Sequence, residues 1–248
     1  MKNSTISWTD HTFNPWIGCA KCSPGCAHCY AETMMGQRWK RAIWGPRGTR
    51  VRTSELSWRQ PKRWNAEASE NGTRYRVFSA SLADVFENRD DVAVWRDDLH
   101  ALIDQTPQLD WLLLTKRPEQ AARYYETHPL PSNVWLGTSV EDRSRAAERI
   151  PVLASIPATV RFLSCEPLLE DLGSVPLHNI DWLIAGGESG NGFRPVEAQW
   201  LRNLRDQCAA ADVPFFFKQW GGRTPKKSGN LLDGQVHDSV PSVTEMPS

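Results

Sequence analysis

Seven short apolar or β-branched runs recur along this chain, at Thr12–Ile17, Arg76–Ala80, Trp111–Thr115, Val134–Thr138, Val160–Ser164, Trp182–Ala185 and Val213–Phe217. Each has the length and continuous apolarity of a strand buried on both faces. Stretches of helical periodicity lie between them: Val92, Trp95, Leu99, Leu102 and Ile103 share one face, as do Val196, Trp200, Leu204 and Cys208. Strands alternating with helices imply right-handed βαβ units and a parallel sheet. The predicted class is therefore α/β, a partial (β/α) TIM-like barrel of six or seven parallel strands, although an open doubly wound sheet would carry the same local pattern. Nearly sixty residues separate the first two runs, so the sequence predicts an insertion at about 38–70. One barrel is expected over 1–221. The Gly-, Pro-, Ser- and Lys-rich stretch 222–248 would then be an extension, either lying on the barrel or disordered.

No apolar run approaches the roughly 18 residues needed to cross a bilayer. Met1–Asp10 is polar, without a basic stretch leading into an apolar one, so a cytoplasmic protein with no membrane partner is expected. Six cysteines are few for a disulfide scaffold of 248 residues, and four of them fall within eleven positions.

That cluster is Cys19, Cys22, Cys26 and Cys29, directly after the first predicted strand, where a barrel keeps its chemistry. Pro24 and Gly25 let the loop curl and turn several sulfurs inward. Cys22, Cys26 and Cys29 stand at C-x3-C-x2-C, three thiolates for the four irons of a [4Fe–4S] cluster. The open iron is the arrangement used to cleave S-adenosylmethionine (SAM) reductively to a 5′-deoxyadenosyl radical. The alternative is a zinc site using all four cysteines, in which case the chain would be a zinc-stabilised, non-catalytic nucleic-acid binding protein.

Trp8-Thr9-Asp10, Phe13-Asn14-Pro15-Trp16, Ser23-Pro24-Gly25-Cys26 and Cys29-Tyr30-Ala31-Glu32 resemble the opening of a phage and prophage family with a three-cysteine motif, related to the radical SAM superfamily. Later blocks agree, among them Leu114-Thr115-Lys116-Arg117-Pro118, Leu136-Gly137-Thr138-Ser139-Val140-Glu141, Glu166-Pro167-Leu168-Leu169, Gly186-Gly187-Glu188-Ser189-Gly190 and Phe216-Phe217-Lys218-Gln219-Trp220-Gly221. The resemblance implies a partial barrel with a [4Fe–4S] cluster, SAM and an external electron donor. It also aligns Cys19, not Cys22, with Cys26 and Cys29, so the third ligand stays open between them.

Polar residues follow every predicted strand, at the end where parallel barrels place their sites. They are Ser79, Ser81 and Asp84 after the second, Lys116 after the third, Ser139 and Glu141 after the fourth, Cys165 and Glu166 after the fifth, Gly186, Gly187 and Glu188 after the sixth, and Lys218 after the seventh. Some Ser and Asp residues in such places cap helices. Gly186-Gly187-Glu188 resembles the Gly-Gly-Glu that binds the methionine amine in radical SAM enzymes, but there it follows strand two. Ser79, Ser81 and Asp84 are accordingly assigned to the amine, and the glycines to close backbone approach by adenosine or substrate. Ser139, Glu141 and Glu188 are placed with the cofactor. His28 occupies the place where the superfamily often has an aromatic residue near adenine, and Tyr30 is placed with the cofactor.

Lys116, Glu166 and Lys218 are candidates for substrate handling, and Cys165 at the mouth for a hydrogen-atom donor. Formal neutrality, 29 basic against 29 acidic residues, hides a local asymmetry. Arg38–Arg63 holds nine Lys or Arg against Glu55 alone, a charge of +8, interleaved with Trp39, Trp44 and Trp58 and followed by Trp64. Phosphate contacts plus base stacking need that combination. DNA or a nucleotide is the predicted substrate, with a nucleobase modified or rearranged by the radical.

Overall fold

The structure is a computed structural model that describes residues 1–224 and 228–242. Seven strands form one sheet: β1 (His11–Thr12), β2 (Tyr75–Ser79), β3 (Leu109–Thr115), β4 (Val134–Ser139), β5 (Val160–Cys165), β6 (Trp182–Gly186) and β7 (Phe215–Gln219). All neighbours are parallel, and their order across the sheet is their order along the chain. A doubly wound sheet must reverse its order at a switch point, and this one does not.

Phe78 of β2 and Trp182 of β6 are four strands apart, about 19 Å across a flat sheet at about 4.8 Å per strand. Their rings nevertheless lie 4.6 and 6.3 Å from the ring of Trp8. The sheet therefore curls around that indole. Because β1 and β7 do not pair, the result is a half-barrel.

Period-two alternation sorts the strand residues between two cores. Phe78, Leu112, Trp135, Phe162, Trp182, Ile184 and Phe216 join Trp8 on the concave side. Val77, Trp111, Leu113, Leu136, Leu163, Leu183, Phe215 and Phe217 face the helices. Gly137 of β4 lies against the concave plug: a Cβ there would come within 2.3 Å of the Phe162 ring.

The outer layer contains α1 (Glu55–Trp58), α2 (Gln60–Glu70), α3 (Asp90–Asp104), α4 (Pro118–Tyr125), α5 (Arg143–Ser155) and α6 (Ala198–Ala210). Asp90 and Asp91 sit in the first turn of α3, where carboxylates complement the helix dipole. Asp142 caps α5 through the Arg145 N–H at 2.7 Å. Among the described residues no helix is long and apolar enough to cross a membrane.

Three sequence expectations change. The first run splits, because only His11–Thr12 joins the sheet, while Trp16–Ile17 pairs antiparallel with Val51–Arg52. The predicted insertion at 38–70 is half crossover helix. Trp58, Pro61, Trp64 and Ala68 form a buried stripe on α1 and α2, covering the sheet in the β1–β2 unit. Finally, no helix separates β5 from β6.

The described part of the extension lies on the barrel. Leu231–Leu232 and Gln235–Val236 make a hairpin, the Phe217 N–H donates to His237 O at 2.8 Å, and Phe216 bridges Asp238. Residues 225–227 and 243–248 of the expected extension fall outside the described residues.

Candidate active site

A cavity of about 260 Å³ opens at the C-terminal ends of the strands, beneath the cysteine loop. Fourteen of the eighteen residues nominated from sequence line it: Cys19, Cys22, Cys26, Cys29, His28, Tyr30, Ser81, Asp84, Lys116, Ser139, Glu166, Gly187, Glu188 and Lys218. Ser79, Glu141, Cys165 and Gly186 do not.

The loop itself carries little regular structure, one 3₁₀ turn at Pro24–Cys26 and then a seven-residue π-helix, Glu32–Arg38. Four carboxylates from three places around the mouth surround it, Asp84 and Glu87 after β2, Glu141 after β4 and Glu188 after β6, each paired with an arginine. Asp84 is the most fully occupied. Its carboxylate accepts from Thr115 Oγ1 at 2.7 Å, Lys116 N at 2.9 Å, Arg117 Nη1 at 2.8 Å and Phe86 N at 3.0 Å. Arg117 in turn donates to Ala20 O at 2.8 Å and lies 3.9 Å from Cys19 Sγ. Glu87 accepts from Ala20 N at 3.1 Å and takes both arms of the buried Arg50 at 2.6 Å. Glu141 accepts from Gly25 N at 3.3 Å and pairs with Arg149 at 2.9 Å. Glu188 bonds His28 Nδ1 at 3.0 Å and Arg194, whose Nη2 reaches Pro24 O at 3.1 Å.

These pairs correct several expectations. Asp84 is taken up by Arg117 and by groups after β2 and at the end of β3, Glu188 by Arg194 and His28 of the loop, and Glu141 bonds the loop from outside the cavity. Ser79 is buried beside the mouth, its hydroxyl without a partner, and Ser81 Oγ is engaged with the Asn14 side chain. Gly187 serves packing: a Cβ there would stand 2.0 Å from Trp220 O. Cys165 is fully buried in the helix-side core, because its neighbour Ser164 takes the cavity side of β5. It is no hydrogen donor at the mouth, and burial pushes its thiol well up. Cys208 is core, as its helical face predicts.

Sequence reading passed over Glu87, Arg149 and Arg194, gave Arg50 to phosphate contacts and left Arg117 without a role. A signal for two of them was present: Arg149 lies eight residues after Glu141 on the next helix, and Arg194 six after Glu188.

Burial would raise the Asp84 carboxyl, but Arg117, the Lys116 N–H and the Thr115 hydroxyl outweigh it and hold it below the ordinary range. Glu141 is lowered against its burial by Lys116 and Arg149. Cys19 is pushed up to about 12 by burial. In Glu188, burial is overcome by the Arg194 and His28 bonds, bringing its carboxyl to about 2 from 4.5. The folded state then binds fewer protons than the unfolded chain between those values. The clamp's contribution is complete above about pH 4.5 and lost as pH falls toward 2. Glu188→Gln is expected to flatten the loss of stability in that window, read as denaturation midpoint against pH.

Three charged cavity residues stand apart from the clamps. Lys218 Nζ pairs with Glu166 Oε2 at 2.6 Å, and neither bonds the cysteine loop. Lys116 Nζ has no ion-pair partner among the described residues.

Fold and site together define a parallel half-barrel protein with a thiol-lined cavity at its mouth. The chain belongs to the family described as "Protein of unknown function (DUF5131)", which it matches over residues 3–241. No curated protein matches it. Among solved structures it is similar to a spore photoproduct lyase mutant with bound AdoMet and dinucleoside spore photoproduct, at 12% identity and a TM-score of 0.49. The likeness covers 80% of this chain and 61% of that one.

Proposed function

We propose that this chain is a radical SAM enzyme acting on a base in DNA or on a nucleotide, with Cys26, Cys29 and one of Cys19 and Cys22 holding a [4Fe–4S] cluster. The observation that carries this reading is that all four thiols line one cavity at the mouth of a parallel half-barrel. The donor set fits the group. Thiolates are the donors that a [4Fe–4S] cluster takes, one on each of three irons, and four thiols of one short loop line this cavity. Arg117 beside Cys19 adds a positive charge where thiolates and cluster would be negative.

When bound, the cluster and SAM supply a 5′-deoxyadenosyl radical, using one electron from an external donor. This chain's residues bind and enclose. Tyr30, its hydroxyl fixed on Ser81 O at 2.7 Å, and His28, fixed on Glu188, offer ring faces for adenine. Lys116 and Ser139 face the cavity beside the cysteine loop and would take polar groups of SAM. Glu166 and Lys218 would take the substrate.

For the substrate's phosphates, the basic segment contributes less than its sequence suggests. Arg50 is buried on Glu87, and Arg52 lies over the Trp58 ring and pairs with Asp98. Trp58 and Trp64 are core, not stacking platforms. Seven cations remain without ion pairs among the described residues: Arg38, Lys40, Arg41, Arg47, Arg59, Lys62 and Arg63. Three of them, Arg38, Lys40 and Arg41, flank Trp39, 53% exposed, in the segment whose Trp44 lines the cavity. That continuity of cations, exposed ring and cavity wall supports a nucleic-acid or nucleotide substrate.

Anaerobic purification tests the reading. A brown protein containing iron and sulfide that releases 5′-deoxyadenosine when reduced with SAM is expected. A colourless zinc protein that releases none overturns it. Mass spectrometry of DNA from cells with and without the gene would then identify the altered nucleoside.

A further inference from the structure

We infer that the exposed segment Arg38–Arg47 is a landing surface for an unpaired stretch of DNA, so that the base entering the cavity arrives on a strand and not as a free nucleotide. The inference rests on the reading that this cavity receives a nucleobase. No acidic residue occurs between Glu32 and Glu55. Arg38, Lys40, Arg41 and Arg47 are exposed in that span, and none of them lines the cavity. A mononucleotide brings one phosphate, which Lys116 on the cavity wall can meet. Four cations beyond the wall match a ligand that carries phosphates on past the mouth.

The backbone of the segment is tied down. Gly45 N donates to Cys19 O at 3.0 Å, the buried Arg50 donates to Gly45 O at 3.2 Å and to Thr49 O at 3.0 Å, and Arg89 donates to Pro46 O at 3.0 Å. Trp44 packs on the small cluster of Ala31, Met35 and Leu82. On that fixed backbone Trp39 and Ile43 are nevertheless turned outward, 53% and 67% exposed. An exposed indole among lysines and arginines is a platform for an unpaired base.

Lys40 supplies an independent observation. Its φ is 50°, in the left-handed region that glycine occupies freely and lysine does not. The residue lies just beyond the Glu32–Arg38 π-helix, where Trp39 N donates to Met34 O at 2.9 Å and Arg41 N to Met35 O at 2.6 Å. Helices commonly end on a glycine in that conformation. Lys40 has no ion pair among the described residues, so its side chain repays none of this strain within the fold. A cation held where the backbone favours glycine points to a use outside the fold, and a phosphate is the group it would meet.

The test is fluorescence anisotropy of a short, labelled single strand of DNA with the full-length, anaerobically purified protein over a range of salt concentrations. Binding is expected, with log affinity falling against log salt at a slope of about −3, from four phosphate contacts at about −0.7 each. Lys40→Gly should make that slope shallower by about 0.7 and leave the denaturation midpoint unchanged or higher. Trp39→Ala should weaken binding about tenfold or more at an unchanged slope, because stacking is not a charge contact. A mixture of deoxynucleoside monophosphates at the same nucleotide concentration should not displace the strand. Failure of the strand to bind, its displacement by the monophosphates, or a Lys40→Gly protein that keeps the full slope overturns the assignment. A Lys40→Gly midpoint below that of the unaltered protein also overturns it, since the lysine would then serve the fold. Binding and displacement are read on the unaltered protein, so misfolding of a variant does not decide the outcome. A protein that contains iron and releases 5′-deoxyadenosine but fails this test loses the landing surface alone. One that passes it without iron loses the radical reading alone.

Discussion

Asp84→Ala is expected to cost about 3–5 kcal/mol of folding stability, the range for removing one partner of a buried ion pair. Asp84 is 5% exposed and its two oxygens accept four hydrogen bonds, all lost in the alanine variant. The loss leaves the Arg117 guanidinium charged and facing an empty place. It also frees the arm that holds Ala20 O and flanks Cys19, so iron content should fall with stability. A urea midpoint together with iron per chain measures both. The double variant Asp84→Ala/Arg117→Met should recover part of the stability, because the uncompensated charge has gone, but none of the iron. A double variant no more stable than Asp84→Ala would show that charge pairing is not what makes Asp84 important.

The second large effect separates two thiols three residues apart. Cys19→Ala is expected to yield protein without iron, and Cys22→Ala protein that keeps most of it. The reason is preorganisation. The backbone around Cys19 is tied on every side: Gly18 N donates to Leu82 O at 3.0 Å, Gly45 N to Cys19 O at 3.0 Å, and Ala20 N to Glu87. Its sulfur lies beside Arg117. Cys22 is exposed, and its neighbour Lys21 pairs with Glu32 further along the same segment. A ligand already in place loses little freedom on binding; Cys22 would have to be ordered. Spacing alone favours the opposite choice, since Cys22, Cys26 and Cys29 are the more compact set. Iron analysis of the two variants decides between geometry and spacing, and the reverse result would assign the third position to Cys22.

The sheet was legible because its signal is local. Trp111–Thr115 and Val134–Thr138 are apolar without a break, as a strand covered on both faces must be, and the structure shows them as neighbours in the half-barrel. Residues 55–70 were hidden for a physical reason. A crossover helix exposes one face, and here that face carries Arg59, Lys62 and Arg63, so charge masked the stripe from Trp58 to Ala68. At the mouth, the acids could be read as polar groups at strand ends. Whether each meets a ligand or an arginine depends on partners such as Arg50 for Glu87, 37 positions away, which no local pattern encodes. Cys165 was different. Ser164 and Glu166 both line the cavity, so side-chain alternation alone sends Cys165 to the other face.

The hairpin and the two residues after it alter the solution behaviour of the sheet. A half-barrel has two open edges, and an unpaired parallel strand as apolar as Phe215–Phe217 is a template for another chain. His237 and Asp238 occupy the backbone groups of Phe217 and Phe216, and Ser239 O takes the Trp182 indole N–H at 2.9 Å. That short stretch therefore works as a built-in blocker of edge-to-edge self-association. Shortening the chain to before residue 231 is a risk to solubility even though every cavity-lining residue would remain.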